Sequence, residues 1–594
     1  MQNQPNRTKY IKDIFLNLLP YLIYFACLFI YFGYFAAYVQ FFQEKSSLFI
    51  CSSDFLRENL NQPGALLIYL SKFLTTFYFY PLAGAVIISA IPTLLLFTVA
   101  HIIRNFTGKK SFFIPFILGS ALLSLQTDYR YFLFNSLGLL LQVAAFYLHI
   151  RLSKYTKGWI SILLSPAWYF ISGGFSLLFF LMLTFGFIAE KNRIGLLKII
   201  ALWCIILGTF YLSKEYLFFQ TGQTLLTFPY SELNTGSHAK LFLSVAVLIS
   251  VLPFLGLIKL NIPEKFFPSV LCGSLILSAL FILSATAIGM KQSDQKSKNY
   301  FQVEKLFYEN KFDELVAYNT KNKTTNSLTL FLNNIALCET GKLNDLLFHF
   351  PQSADGKTLF LKWKMEEEVL KRGGYFYYTI GMINEAHRWA FENMVMKGHT
   401  PEGLKMLIKT ELILGNYRVA SKYTDLLKQT FFYQREAEQF EKLLFNDGAI
   451  NADPELGEKR NNKINTDFFA LTDEPLGNVY QILAKDSLNK KAFEYKLAFM
   501  LLKKDYKGIA MELPRMEQLG YPRLPTHIEE VAAALTSLKM GAPEPGRIQM
   551  NTNTLLRWKE YLTILKQHGS NAAAAEPFVR NQFADTFWYY AFYR

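Results

Sequence analysis

Asp54, Arg57 and Glu58 fall at i, i+3 and i+4, the spacing that brings side chains to one face of a helix. A carboxylate in such a group can take the proton of an acceptor hydroxyl, and a guanidinium can neutralise a departing phosphate. Ionisable groups that could share this chemistry occur in two further places. One is the short run Asp128-Tyr129-Arg130; the other is residues 214 to 238, with Lys214, Glu215, Tyr230, Glu232 and His238. Each set also has a plainer reading. An exposed charge cluster adds only about 0.2–0.5 kcal/mol to a helix, and charges beside an apolar segment reach water without further purpose.

Other chemistries leave no trace. The eight histidines, at 101, 149, 238, 349, 387, 399, 527 and 568, contain no HExxH and no pair at ligand spacing, so no metal site is expected. Gly108-Lys109-Lys110-Ser111 lacks the upstream glycine of a phosphate loop, and neither GxSxG nor GxGxxG opening a helix occurs. No cofactor is indicated. The five cysteines, at 27, 51, 204, 272 and 338, form no CxxC. A Cys51–Cys338 disulfide is compatible with the topology below, and two independent thiols are the simpler expectation.

The elements that must position these residues are set by apolarity. Mean hydropathy is +0.17 and 52% of residues are hydrophobic, concentrated before residue 290. A membrane-crossing helix needs about 20 mostly apolar residues. Runs of that kind lie near 14–42, 82–103, 111–127, 131–150, 159–189, 195–213, 239–258 and 266–289. The stretch 159–189 is too long for one helix and carries Ser172-Gly173-Gly174 near its middle, which predicts a helical hairpin. About nine membrane elements are expected, the fifth short or re-entrant.

The net charge of +15 is spread unevenly. Residues 1–294 hold 21 Lys and Arg against 10 Asp and Glu, and 14 of the 21 sit in connectors of one side if the N-terminus is cytoplasmic. Positive charge placed this way is a topology signal, so nucleic acid is not an expected partner. It puts residues 43–81, the Asp128 turn, residues 214–238 and everything after residue 294 on the outer side.

The first outer loop joins Asp54 to a Pro63-Gly64 turn and an aromatic amphipathic run, Tyr69 to Tyr80, suited to the bilayer interface. This arrangement resembles the GT-C superfamily of membrane glycosyltransferases over about the first 290 residues. The Asp-Asp or Asp-x-Asp pair of many members is absent. The resemblance implies Asp54 as catalytic base and Arg57, Arg130 and Lys214 as phosphate-binding cations. Glu58, Asp128, Glu215 and His238 would be accessory outer residues, and the donor a polyprenyl-phosphate-linked sugar.

From residue 300 onward apolar residues recur at helical spacing. Asn310-x-Phe312-x-x-Leu315, Gly341-x-Leu343-x-x-Leu346, Gly415-x-Tyr417-x-x-Ala420 and Lys504-x-Tyr506-x-x-Ile509 each follow an apolar helical stretch. They read as the turn and second-helix start of a tetratricopeptide-like hairpin. The predicted architecture is therefore all-α. A polytopic transmembrane bundle, 1–294, precedes an irregular tetratricopeptide-like solenoid, 295–594, with a break near 446–473. The aromatic tail Phe587 to Tyr593 is expected to be buried as a terminal cap, because exposed it would be sticky.

The whole chain resembles multi-pass Bacteroidota membrane proteins with such a tail, carried by its Phe-rich spans, Ala167-Trp168-Tyr169-Phe170-Ile171-Ser172-Gly173-Gly174 and Gly415-Asn416-Tyr417. It implies a bacterial inner membrane with the tail in the periplasm. Two functions are expected in competition: a GT-C-like transferase, or a non-enzymatic scaffold recruiting envelope proteins or peptides through its solenoid. A transporter is disfavoured by the scarcity of ionisable residues in mid-span.

Overall fold

In the computed structural model every regular element among the described residues is helical. The structure describes residues 7–108, 113–230, 239–257, 295–363, 367–464, 470–471, 474–537, 550–568 and 572–594. The chain divides into two units, one of residues 1–294 with Gln429–Phe432, the other of 295–428 with 433–594.

Among the described residues of the first unit, five helical stretches are long and apolar enough to cross a bilayer: Leu18–Phe35, Pro81–Thr107, Leu133–Thr156, Ser165–Ala189 and Arg193–Leu217. The expectation of about nine is corrected to five by this measure. Phe113–Gln126, at 14 residues, and Ala239–Ser250, at 12, fall short of the roughly 20 needed, and the run 266–289 lies outside the described residues.

Length and apolarity do not make Ser165–Ala189 a straight rod, however. At 1.5 Å per residue Gly158 and Phe187 would be about 44 Å apart along one helix. Instead, a Cβ at Gly158 would lie 3.1 Å from a Phe187 ring carbon, and the Trp168 and Phe179 ring centroids are 6.0 Å apart. The chain therefore reverses between Ser165–Ser172 and Ser176–Ala189, through a 3-10 turn at Gly173–Phe175. Gly173 has φ +56 and ψ −134, a conformation open only to glycine. A Cβ there would meet Phe228 O at 2.5 Å and Gly64 Cα at 2.9 Å.

The reversal would strand a backbone donor and a backbone acceptor in an apolar unit, a cost of several kcal/mol per group in lipid. Two neighbouring turns supply the partners. Gly174 N–H donates to Phe228 O at 2.7 Å, and Gly64 N–H donates to Phe170 O at 2.9 Å. The hairpin limbs are held laterally as well, Trp168 donating from Nε1 to the buried Gln142 at 2.7 Å.

The second unit is built from helical hairpins joined by one recurrent turn. Asn310, Gly341, Gly381, Gly415 and Lys504 all have left-handed backbones, with φ between +54 and +89. After each, the next N–H returns to a carbonyl five residues back: Lys311 to Leu306, Lys342 to Leu337, Met382 to Tyr377, Asn416 to Glu411 and Asp505 to Met500, all at 2.7–2.9 Å. That bond closes the helix end, and the following helix starts two residues after the left-handed position, at Phe312, Leu343, Ile383, Tyr417 and Tyr506. The helices Glu367–Ile380, Ile383–Lys397, Pro401–Leu414, Tyr417–Lys428 and Gln434–Glu441 each pack on the next.

Between residues 446 and 473, where a break is expected, the short helices Asp447–Ala452 and Leu456–Asn461 form, and residues 465–469 and 472–473 lie outside the described ones. At the C-terminus, Phe587, Trp588, Tyr589 and Tyr590 are buried in the helix Phe587–Tyr593, as their stickiness required. Trp588 Nε1 donates to Glu530 O at 2.8 Å, and the Tyr590 hydroxyl to Leu502 O at 2.9 Å. Cys51 and Cys338 are both free.

Candidate functional site

Asp54 sits in the first turn of the short helix Ser53–Asn59, which starts because Ser52 Oγ accepts the Phe55 N–H at 3.1 Å. A carboxylate in that turn is favoured by the helix dipole. Phe55 pins the helix to Ala65–Thr76: its ring lies 6.0 Å from that of Tyr69, and Lys72, above the Phe55 ring, donates to Asn59 Oδ1 at 3.3 Å. With Phe55 turned inward, Asp54, Arg57 and Glu58 are all exposed.

The remaining predicted residues are held locally. Asp128 Oδ1 accepts the Arg130 N–H at 2.9 Å, the geometry of a short Asx turn. The exposed Arg130 guanidinium lies 5.3 Å over the Tyr129 ring. Lys214 is exposed and paired with Glu215 at 3.0 Å. His238 lies outside the described residues. Among the described residues, no ion pair joins Asp54 to Arg130 or Lys214, and no group of three His, Cys, Asp or Glu side chains could hold a metal ion.

A cleft of about 310 Å³ in the second unit was not anticipated. Its walls are two helix faces. Glu402, Lys405, Met406 and Lys409 line one side of Pro401–Leu414; Glu436, Gln439, Phe440 and Leu443 line the other, from Gln434–Glu441 onward. Both sets follow the i, i+3, i+4, i+7 spacing of a single helical stripe. Phe307, Tyr308 and Tyr375 add aromatic surface, their rings 5.0–6.2 Å apart, and Asp453 and Glu455 contribute from the turn before Leu456–Asn461.

The charges are ordered. Lys405 Nζ reaches Glu436 at 2.5 Å and Glu402 at 3.3 Å, and Lys409 Nζ holds both Glu455 oxygens at 2.7 and 2.9 Å. Burial works to raise the Glu455 pKa, but Lys409 and the Tyr378 hydroxyl, donating at 2.9 Å, bring it below the usual carboxylate range. Asp453 Oδ1 accepts the N–H groups of Glu455 and Leu456 at 3.0 and 2.8 Å, which fixes that rim. Four carboxylates against two ammonium groups leave the lining with a charge of −2. The set combines paired charges with an aromatic wall. The sequence signal was the pair of charged stripes, which read as solvated helix faces until the facing helix is known.

No curated protein and no solved structure matches the chain. Residues 12–594 match one family across both units, and the chain belongs to it: the family of unknown function DUF6057.

Proposed function

We propose that this is a membrane-anchored binding protein, in which the apolar unit holds the chain in a bilayer and the second unit captures a polypeptide. The observation that carries this reading is the ligand-sized cleft between stacked hairpins, within the roughly 300–1,000 Å³ of ordinary binding pockets. The recurrent left-handed turn supports treating the second unit as an irregular tetratricopeptide-like solenoid, whose concave faces bind peptides and proteins. With the basic connectors cytoplasmic, the unit faces the periplasm of a bacterial inner membrane, and its partners are envelope proteins.

A photo-cross-linker tests this reading. p-Benzoylphenylalanine at Gln439, exposed on the cleft wall, is compared in native membranes with the same group at Met511, exposed on Tyr506–Gln518. A discrete polypeptide adduct from Gln439 alone is expected. No adduct, or the same ladder from both positions, would count against a binding role.

A second reading, a GT-C-like transferase using a polyprenyl-phosphate sugar with Asp54 as base, is favoured by one observation. The exposed Asp54 lies between the first apolar helix and the amphipathic helix Ala65–Thr76. In this reading Arg57, Arg130 and Lys214 bind the phosphate. Asp54→Asn then abolishes sugar transfer from a radiolabelled lipid donor in membranes, whereas the binding reading tolerates that change.

A further inference from the structure

The cleft in the second unit has a charge and a wall chemistry that select its ligand. Resting on the binding reading above, we infer that it takes the side chain of an arginine or lysine presented by a polypeptide. The lining carries a charge of −2, with Glu402, Glu436, Asp453 and Glu455 outnumbering Lys405 and Lys409. Both lysines are already engaged: Lys405 bridges Glu402 and Glu436, and Lys409 is chelated by Glu455. Asp453 is engaged only by the backbone N–H groups of Glu455 and Leu456, so at this rim an incoming cation meets a carboxylate without displacing a resident ammonium.

The aromatic surface makes the same choice. Phe307, Tyr308, Tyr375 and Phe440 line the space beside these acids. Ring faces attract cations and cover the methylene stem of a long basic side chain. A carboxylate or phosphate ligand would meet repulsion from four acids and gain nothing from the rings. A purely apolar ligand would leave the acids desolvated against it. About 310 Å³ suits one long side chain with its flanking backbone rather than a folded domain, so the partner segment is extended where it enters. Tyr308 is itself held from behind, donating to the buried Glu304 at 2.7 Å, so this wall is preformed.

The test uses the full chain in detergent and four fluorescein-labelled nonapeptide pools. They are degenerate at flanking positions, with arginine, lysine, citrulline or glutamate fixed at the centre. Fluorescence polarisation is expected to show the arginine and lysine pools binding at least ten times more tightly than the citrulline and glutamate pools. The double variant Glu436→Gln/Asp453→Asn, which brings the lining to neutral, should remove that preference while its thermal unfolding stays near that of the parent. The arginine-to-citrulline ratio in the parent needs no variant, so a misfolded double mutant would not protect the idea. Equal binding of arginine and citrulline pools, tighter binding of the glutamate pool, or no saturable binding of any basic pool each overturns it. A Gln439 adduct to a polypeptide alongside such a failure would leave the binding reading standing and remove only the cationic ligand. Loss of both would remove the two together.

Discussion

Replacing Glu494 with glutamine should make the second unit more stable above neutral pH, and the structure sets the size of the effect. Glu494 lies on Lys490–Leu502 with 4% of its surface exposed. Its Oε2 accepts no hydrogen bond, and the donor to Oε1, the Tyr521 hydroxyl, is distant at 3.4 Å. Lys490, its ammonium 4.2 Å over the Tyr521 ring, offsets part of the charge, less than burial costs. Burial therefore dominates and pushes the carboxyl up from its ordinary 4.5 to about 7. The native state keeps a proton between those values that the unfolded chain has already released. The contribution of this group to stability is accordingly greatest below pH 4.5 and declines as pH rises toward 7. A difference of roughly 2.5 pH units at 1.36 kcal/mol each amounts to about 3 kcal/mol lost by pH 8. Glutamine has nothing to ionise, so it should match the parent near pH 5 and exceed it by up to about 3 kcal/mol at pH 8. Hydrogen exchange of the 490–502 amides in the full chain, corrected for intrinsic rates, reads the opening free energy directly. A Glu494→Gln protein whose stability falls in parallel with the parent from pH 5 to 8 would refute the reasoning.

Three other substitutions follow from the packing. Arg372 and Glu304 are fully buried and paired at 2.5 Å. Arg372→Met alone should cost up to about 3–5 kcal/mol, because it leaves the buried Glu304 carboxylate with only Lys371 at 3.7 Å and the Tyr308 hydroxyl, and Glu304→Met/Arg372→Met should recover most of it in a chemical-denaturation cycle. Gly173→Ala should unseat the membrane hairpin, since a Cβ meets Phe228 O at 2.5 Å and the backbone strain alone is of order 1–3 kcal/mol. A large fall in detergent melting temperature is the expected result, with Gly108→Ala, where a Cβ meets nothing within 4 Å, as the milder comparison. Lys504→Gly should stabilise the second unit by about 1 kcal/mol, because lysine at φ +56 pays the left-handed penalty that glycine avoids. Exchange protection of Tyr506–Gln518 amides would report it.

The left-handed turns show how far local pattern reaches. Asn310, Gly341, Gly415 and Lys504 were readable because a helix must stop before the next can start, and the stop needs a residue that tolerates positive φ. Gly381 does the same work ahead of Ile383 and Ala386 and escaped notice, since Gly381-Met382-Ile383 has no polar residue to mark a turn. The hairpin at 159–189 was likewise legible, from a run too long for one helix with a glycine pair at its centre. Counting crossings was not. Apolarity cannot tell a 14-residue helix sheltered by neighbours from one that spans, and among the described residues five stretches, one of them the hairpin itself, have the length and apolarity for a crossing, against about nine expected.

Composition and periodicity thus determined that the regular elements among the described residues are helical and that the apolar half is suited to a bilayer, because both follow from interactions between residues close in sequence. The site belongs to another level. Whether Glu402 and Glu436 are two solvated faces or two walls of one cleft depends on Pro401–Leu414 and Gln434–Glu441 being brought to face each other. Whether Gly173 can turn depends on Phe228 O being there to receive Gly174 N–H. Neither contact is encoded at any fixed spacing along the chain, so only the tertiary structure could decide them.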